Sequence, residues 1–290
     1  MALNAPKIVG IGELLWDEYP EGRQMGGAPA NFAYHCQVLG AQSFIVSAVG
    51  QDEAGRDLFE ALAAQNLDTS HVDTRPGYPT GSVSVHLDPD GIPAYTIHEP
   101  VAWDFLQSTP QLQRLASQAD AVCFGTLAQR SPISRTTIQS FLRATGPSCI
   151  RVFDINLRQE FYDRSVIIEG LSLATVLKLN EDELVILAHL LGLDGTTHDL
   201  LGQLATQFAL NTVALTMAER GCIVRTQDAV VHLEGVRRGP VIDTVGAGDC
   251  WTAVLIMGML NKDPIDEVAA RANWQAAYVC TQPGAMPEMP

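Results

Sequence analysis

The chain has 290 residues, 47% hydrophobic and 18% charged, which allows one large α/β domain or two small ones around a substantial core. Its formal net charge of −15 argues against nucleic acid or an anionic membrane as the main partner, but not against a nucleotide held by a few local donors. No apolar run reaches the ~20 residues of a membrane span, and the opening MALNAPKIVGIGELLW has no basic region ahead of a long apolar one. A cytoplasmic protein is expected. Six cysteines, Cys36, Cys123, Cys149, Cys222, Cys250 and Cys280, are scattered without metal-ligand spacing and read as reduced, mostly buried thiols.

In chain order, residues 7–16 read as a first buried strand, 26–39 as a helix, 43–49 as a strand and 53–65 as a helix. The stretch 18–24 reads as extended. Residues 81–104 carry strand-like runs on either side of DPDG, Asp88–Gly91, a hairpin signal. Beyond it come a strand over 119–124, a helix over 133–144, a strand over 150–154 and a short strand over 176–179. A helix over 182–191, strands over 212–216 and 222–225, and helices over 247–260 and 266–280 complete the pattern. Alternation of strand and helix predicts an α/β fold, a doubly wound and mostly parallel sheet covered on both faces. Ligands of such sheets bind at the carboxyl ends of the strands. The junctions at Asp17, Gly125, Asp154, Asn180 and Thr216 should therefore converge. The hairpin breaks the alternation and predicts a small β flap. We read one domain over 1–290 with lid segments at about 17–25 and 80–104.

The most informative stretch is DTVGAGD, Asp243–Asp249. Gly246, Ala247 and Gly248 let the backbone turn sharply and bring N–H groups to an anion at a helix N-terminus. Asp249 beside that anion hole would repel a phosphate unless it takes a proton from an attacking hydroxyl. A turn followed by a helix with an N-terminal acid explains the local pattern as well. A second motif, GGAPANFAYHCQVLG, Gly26–Gly40, has paired glycines, a helical pattern and a glycine C-cap. Asp17, Gly26, Gly27 and Asn31 are a candidate sugar-binding set. A carboxylate accepts from two hydroxyls, an Asn both donates and accepts, and paired glycines allow close approach. The histidines have no metal-ligand spacing and are poor candidates for catalysis.

With SAVGQDEAGRDLFEALAAQNLDT between them, the two motifs resemble the ribokinase–fructokinase family of carbohydrate kinases, the phosphofructokinase-B type. GELLWD and TGSVSVHLDPDGIPAYTIHEPVAWD are most similar to bacterial fructokinase-like members. The resemblance spans nearly the whole chain. It implies a ribokinase-like fold, ATP and Mg²⁺, a monosaccharide acceptor with D-fructose as first choice, and Asp249 as general base beside a Gly246-Ala247-Gly248 anion hole.

The resemblance implies further roles. Asn180 and Glu183 would lie near the phosphates and Mg²⁺, the latter through water, although Asn with Glu three residues on is also a capping box. Asn156 and Arg158 would line the cleft. Thr216, Glu219 and Gly221 match the nucleotide loop, where Ala218 replaces a glycine. Asn273 would approach the base from the other side. Asp243, the Val245 carbonyl and the Gly284 segment correspond to a K⁺ site, whose use the sequence leaves open. Tyr95, Ile97, His98 and Trp103 would bring the lid to the sugar, with Tyr95 and His98 touching it, and the lid strands would pair two chains as a homodimer. Two alternatives stay open. One is another acceptor: ribose, 2-keto-3-deoxygluconate, a nucleoside or a sugar phosphate. The other is a non-catalytic sugar- or nucleotide-binding regulator, for which only Ala218 speaks.

Overall fold

The computed structural model describes residues 5–87 and 93–290. The expected turn at Asp88–Gly91 lies outside them. The described strands are β1 (Lys7–Ile11), β2 (Leu15–Tyr19), β3 (Gly22–Gly26), β4 (Gln42–Gly50), β5 (Val72–Arg75), β6 (Gly81–Leu87) and β7 (Pro93–Ile97). They continue with β8 (Ala121–Phe124), β9 (Ile150–Asp154), β10 (Val176–Asn180), β11 (Thr212–Thr216), β12 (Cys222–Thr226) and β13 (Val230–Leu233). The helices are α1 (Ala28–Val38), α2 (Glu53–Ala64), α3 (Pro110–Gln118), α4 (Pro132–Arg143) and α5 (Arg164–Leu173). After them come α6 (Glu181–Leu191), α7 (Thr197–Gln207), α8 (Ala247–Asn261) and α9 (Ile265–Val279).

The main sheet runs β13-β12-β11-β10-β9-β8-β1-β4-β5. From β11 to β5 every pairing is parallel, and β12 and β13 add an antiparallel edge. The expected doubly wound sheet is present. Its parallel strands are covered on both faces, so they read as unbroken apolar runs, as in β8, where all four residues are buried. The chain leaves β1 towards β4 and β5, then returns to β8 and winds the other way. The crevice between β1 and β8 is therefore the switch point where a ligand is expected. Helix α8 is apolar all round and buries every residue from Cys250 to Gly258, as a helix packed on all sides must.

The first strand is shorter than its apolar run predicts. At Gly12, φ is +151° and a Cβ would lie 2.9 Å from the Pro29 ring. The chain turns there and Leu15–Tyr19 joins a second sheet, ordered β3-β2-β6-β7. The segment read as extended is thus a hairpin of β2 and β3, which pair antiparallel. Strand β2 pairs β6 in parallel, so both expected lid segments meet in this sheet. It is tied to α2 by the Trp16 indole, which donates to the Ala54 carbonyl at 2.9 Å, and by the Arg23–Asp57 ion pair.

Strands β5 and β13 and helices α3, α5 and α7 are additional to the elements read from sequence. Their caps are conventional: Thr109, Asp163 and Thr196 accept from the third residue on. No helix among the described residues is long and apolar enough to cross a membrane. Five of the six cysteines are buried, Cys280 is half-buried, and none is paired.

Candidate active site

Helix α8 begins at Gly246, whose φ of +78° and approach to Ala285 (2.6 Å from a would-be Cβ) exclude a side chain. The backbone N–H groups of Gly248 and Asp249 have no acceptor among the described residues. They are free donors at the positive end of a 15-residue helix. Asp249, in the first turn, is half-buried and accepts from the Asn31 amide at 2.7 Å. Burial and then the Asp154 charge push its carboxyl up to about 6, against the Asn31 hydrogen bond, Lys178 and Arg158.

Two cavities meet here. One, of about 520 Å³, is lined by Asp17, Gly27, Asn31, Tyr95, Arg158, Gly246, Gly248 and Asp249 from the expected set. The other, of about 730 Å³, is lined by Asn180, Thr216, Glu219, Gly221, Asn273, Ala247 and Gly248. They share Lys178, Thr244 and Gly248. The mouth of α8 therefore stands between a small polar chamber and a larger one.

Within the small chamber, Gly27 (φ +119°) brings its backbone against the Glu13 carbonyl, 2.5 Å from a would-be Cβ. Burial raises Asp17 to about 6, partly offset by Arg158. Arg158 forms no ion pair among the described residues, so neither Asp154 nor Glu160 claims it. Gln159 donates to the Tyr95 carbonyl at 2.6 Å and joins the loop after β9 to the small sheet.

Several expectations need correction. Gly26 lines neither cavity; a Cβ there would press on the Asp17 carboxylate, so its bareness makes room for that group. His98 also lines neither cavity. Its ring meets the Ser84 hydroxyl at 2.7 Å and its carbonyl accepts from Arg130 at 2.8 Å. Trp103 is fully buried beneath the Arg130 guanidinium, 4.0 Å from the ring centre, and cannot stack on a ligand. Glu183 is a buried cap that lines neither cavity: its two oxygens accept from the Asn180 and Leu157 N–H groups at 2.8 and 3.0 Å. It therefore fixes the loop that carries Asn156 and Arg158. Asn273 lines the larger cavity, but its amide is engaged by Trp251 (2.9 Å) and the Glu234 carbonyl (3.1 Å), so it shapes a wall. By contrast, Asp243 accepts from Val245 N–H at 2.9 Å and Gly284 N–H at 3.1 Å, gathering the two segments named with it.

Two charged residues at the centre carry no role in the sequence reading. Lys178 is buried, pairs with Asp154 at 3.1 Å and faces both cavities. Burial would lower its ammonium, but Asp154, Glu183 and Asp249 outweigh it and hold the group above its ordinary value. A lysine inside the buried strand VLKLN was the readable signal. Glu13, inside GELLWD, is 4% exposed and is raised to about 7, chiefly by burial. Ala218 sits at φ +49°, the left-handed conformation its replaced glycine would favour.

A family model described as pfkB family carbohydrate kinase matches residues 21–290. Fructokinase of Klebsiella pneumoniae is 30% identical, covering 98% of this chain and 96% of its own. The crystal structure of an uncharacterized sugar kinase from Pyrococcus horikoshii superposes with a TM-score of 0.81 at 28% identity, over 97% of this chain and 93% of that one. Fructokinase from Vibrio cholerae, solved with fructose, ADP and a calcium ion, gives 0.82 at 25% identity, over 98% and 96%.

Proposed function

The chain belongs to the pfkB family of carbohydrate kinases and has its ribokinase-like fold, and from that premise we propose that it transfers the γ-phosphoryl group of ATP to a hydroxyl of a neutral monosaccharide, D-fructose first. One observation carries this reading: Asp249 lies at the free N-terminus of α8, where the two cavities meet. The chamber with Asp17 and Asn31 takes the sugar and the larger one takes ATP. The Vibrio cholerae fructokinase, seen with fructose and ADP, supports both ligands.

Asp249 accepts the proton of the attacking hydroxyl as its oxygen bonds to phosphorus. The free N–H groups of Gly248 and Asp249 and the Lys178 ammonium offset the growing negative charge. Among the described residues no group of three acids, histidines or cysteines could hold a metal ion. Mg²⁺ would be carried by the nucleotide's phosphates and would supply positive charge to the transferring group; Glu183, held by the Asn180 and Leu157 N–H groups, positions the Arg158 loop rather than the metal. K⁺ belongs beside Asp243, whose carboxylate already gathers the Val245 and Gly284 backbone. The four-stranded sheet serves as a lid that excludes water. Its edges, β3 and β7, offer the pairing surface for a homodimer.

A second reading, an anionic acceptor, is favoured by one observation: the unpaired Arg158 in the sugar chamber. Glu13 and Asp17 in the same chamber oppose it. Coupled ADP release at saturating Mg·ATP over fructose, ribose, a nucleoside, 2-keto-3-deoxygluconate and fructose 6-phosphate decides between them. Fructose is expected to show the highest kcat/KM. A tenfold preference for either anion overturns the neutral-sugar reading.

A further inference from the structure

Glu13 lies in the turn between β1 and β2, beside the switch point of the main sheet. Its side chain is 4% exposed, lines the sugar chamber and forms no ion pair among the described residues. Its Oε2 has no hydrogen-bond partner. Oδ1 of Asn31, a residue 3% exposed in the same chamber, has none either. The Asn31 amide cannot satisfy this oxygen by turning over, because that would set Oδ1 against the Asp249 carboxylate in place of the donor now there.

Two buried acceptors without a partner in the protein, beside the proposed base, carry a desolvation cost. A ligand rich in hydroxyls supplies one donor to each. A polyol therefore relieves the cost, and an analogue missing one hydroxyl leaves it in place. Sites built this way reject the deficient analogue far more strongly than apolar pockets reject a missing methylene. Burial, and to a lesser extent the Asp249 charge, raises the Glu13 carboxyl to about 7, against nearby backbone N–H groups and Arg158.

We propose that Glu13 is a specificity-determining residue, whose free Oε2 binds an acceptor hydroxyl other than the one phosphorylated, in concert with the free Oδ1 of Asn31. This rests on the sugar-kinase reading above and adds to it a named contact. Glu13 does not take the transferred proton; it sets which sugar is held in place for Asp249.

The test compares kcat/KM for the preferred sugar and its monodeoxy analogues, one position at a time, in the wild-type protein, Glu13→Ala and Glu13→Gln. In the wild type, one non-reacting hydroxyl should carry a penalty of about 30-fold or more on removal. In Glu13→Ala that penalty should fall below about threefold, with penalties at the other positions kept and KM for ATP within about twofold. Glu13→Gln retains an acceptor oxygen and should restore part of it. If Glu13→Ala does not fold, Glu13→Leu, of similar bulk, must show the same collapse. A Glu13 variant that is slower yet keeps every deoxy penalty overturns the proposal. A wild-type protein that phosphorylates no neutral sugar overturns the acceptor reading itself, and this proposal with it.

Discussion

The Nδ2 of Asn31 donates to the Oδ2 of Asp249 across 2.7 Å, joining two residues 218 apart in sequence. The residue read as a sugar contact is thereby also a partner of the proposed base. A hydrogen bond to the ionised form favours ionisation, so Asn31 holds the Asp249 carboxyl lower than burial alone would leave it. Asn31→Ala should weaken sugar use by about 1–3 kcal/mol, roughly five- to 150-fold in kcat/KM. It should also move the acid limb of the pH–rate profile upward. An acid limb that stays in place, with only the sugar KM raised, would confine Asn31 to binding.

Asp249 must be ionised to accept a proton, and burial with the Asp154 charge sets its carboxyl at about 6. Activity is therefore expected to fall as pH drops through about 6, well above the range of an exposed aspartate. Asp249→Asn should reduce kcat by roughly 10²–10⁴-fold and leave ATP binding intact. Turnover within about threefold of the parent would remove Asp249 from this role.

The nucleotide loop offers a contrast in backbone strain. Ala218 adopts φ +49°, which costs an L-residue roughly 1–2 kcal/mol relative to glycine. Glycine loosens the unfolded chain and returns roughly 0.4–1 kcal/mol of that. Ala218→Gly should then stabilise the protein by up to about 1.6 kcal/mol in urea unfolding. Gly221→Ala meets both φ +95° and the Leu233 carbonyl, so it should destabilise the protein and weaken ATP binding. Loss of stability in Ala218→Gly would show that the loop needs the methyl group.

Local signals were sufficient where one element decides the outcome. The apolar runs of β8 to β11, the glycines ahead of α8 and the Asn180–Glu183 capping box all lie within a few residues of what they specify. The break at Gly12 was not legible, because the close neighbour that demands a bare residue there, Pro29, lies 17 positions on. Trp103 looked like a ligand platform beside the hairpin, yet Arg130, from a separate segment, packs over it inside the core. The histidine at 98 was lost in the same way to Ser84 across the strand pair. Lys178 and Glu13 sit in apolar stretches that read as core, and only the tertiary fold shows what each one faces.

Glu13 also predicts a cost to stability. Its carboxyl has an ordinary value of 4.5 and is raised to about 7 in the fold, first by burial. The folded state then holds this proton to higher pH than the unfolded chain does. Folding loses stability as pH climbs from about 4.5 towards 7, and the loss is complete above that. The shift corresponds to about 3 kcal/mol at most. Glu13→Gln keeps the shape and removes the charge, so in urea unfolding without ligands it should gain about 1–3 kcal/mol over the parent at pH 8. Near pH 4 the gain should vanish, because the parent's acid is then protonated in both states. A gain independent of pH, or a loss at pH 8, would show that Glu13 is satisfied by the protein itself. A stabilised Glu13→Gln that uses its sugar poorly would mean that this acid is retained for the ligand, at the expense of the fold.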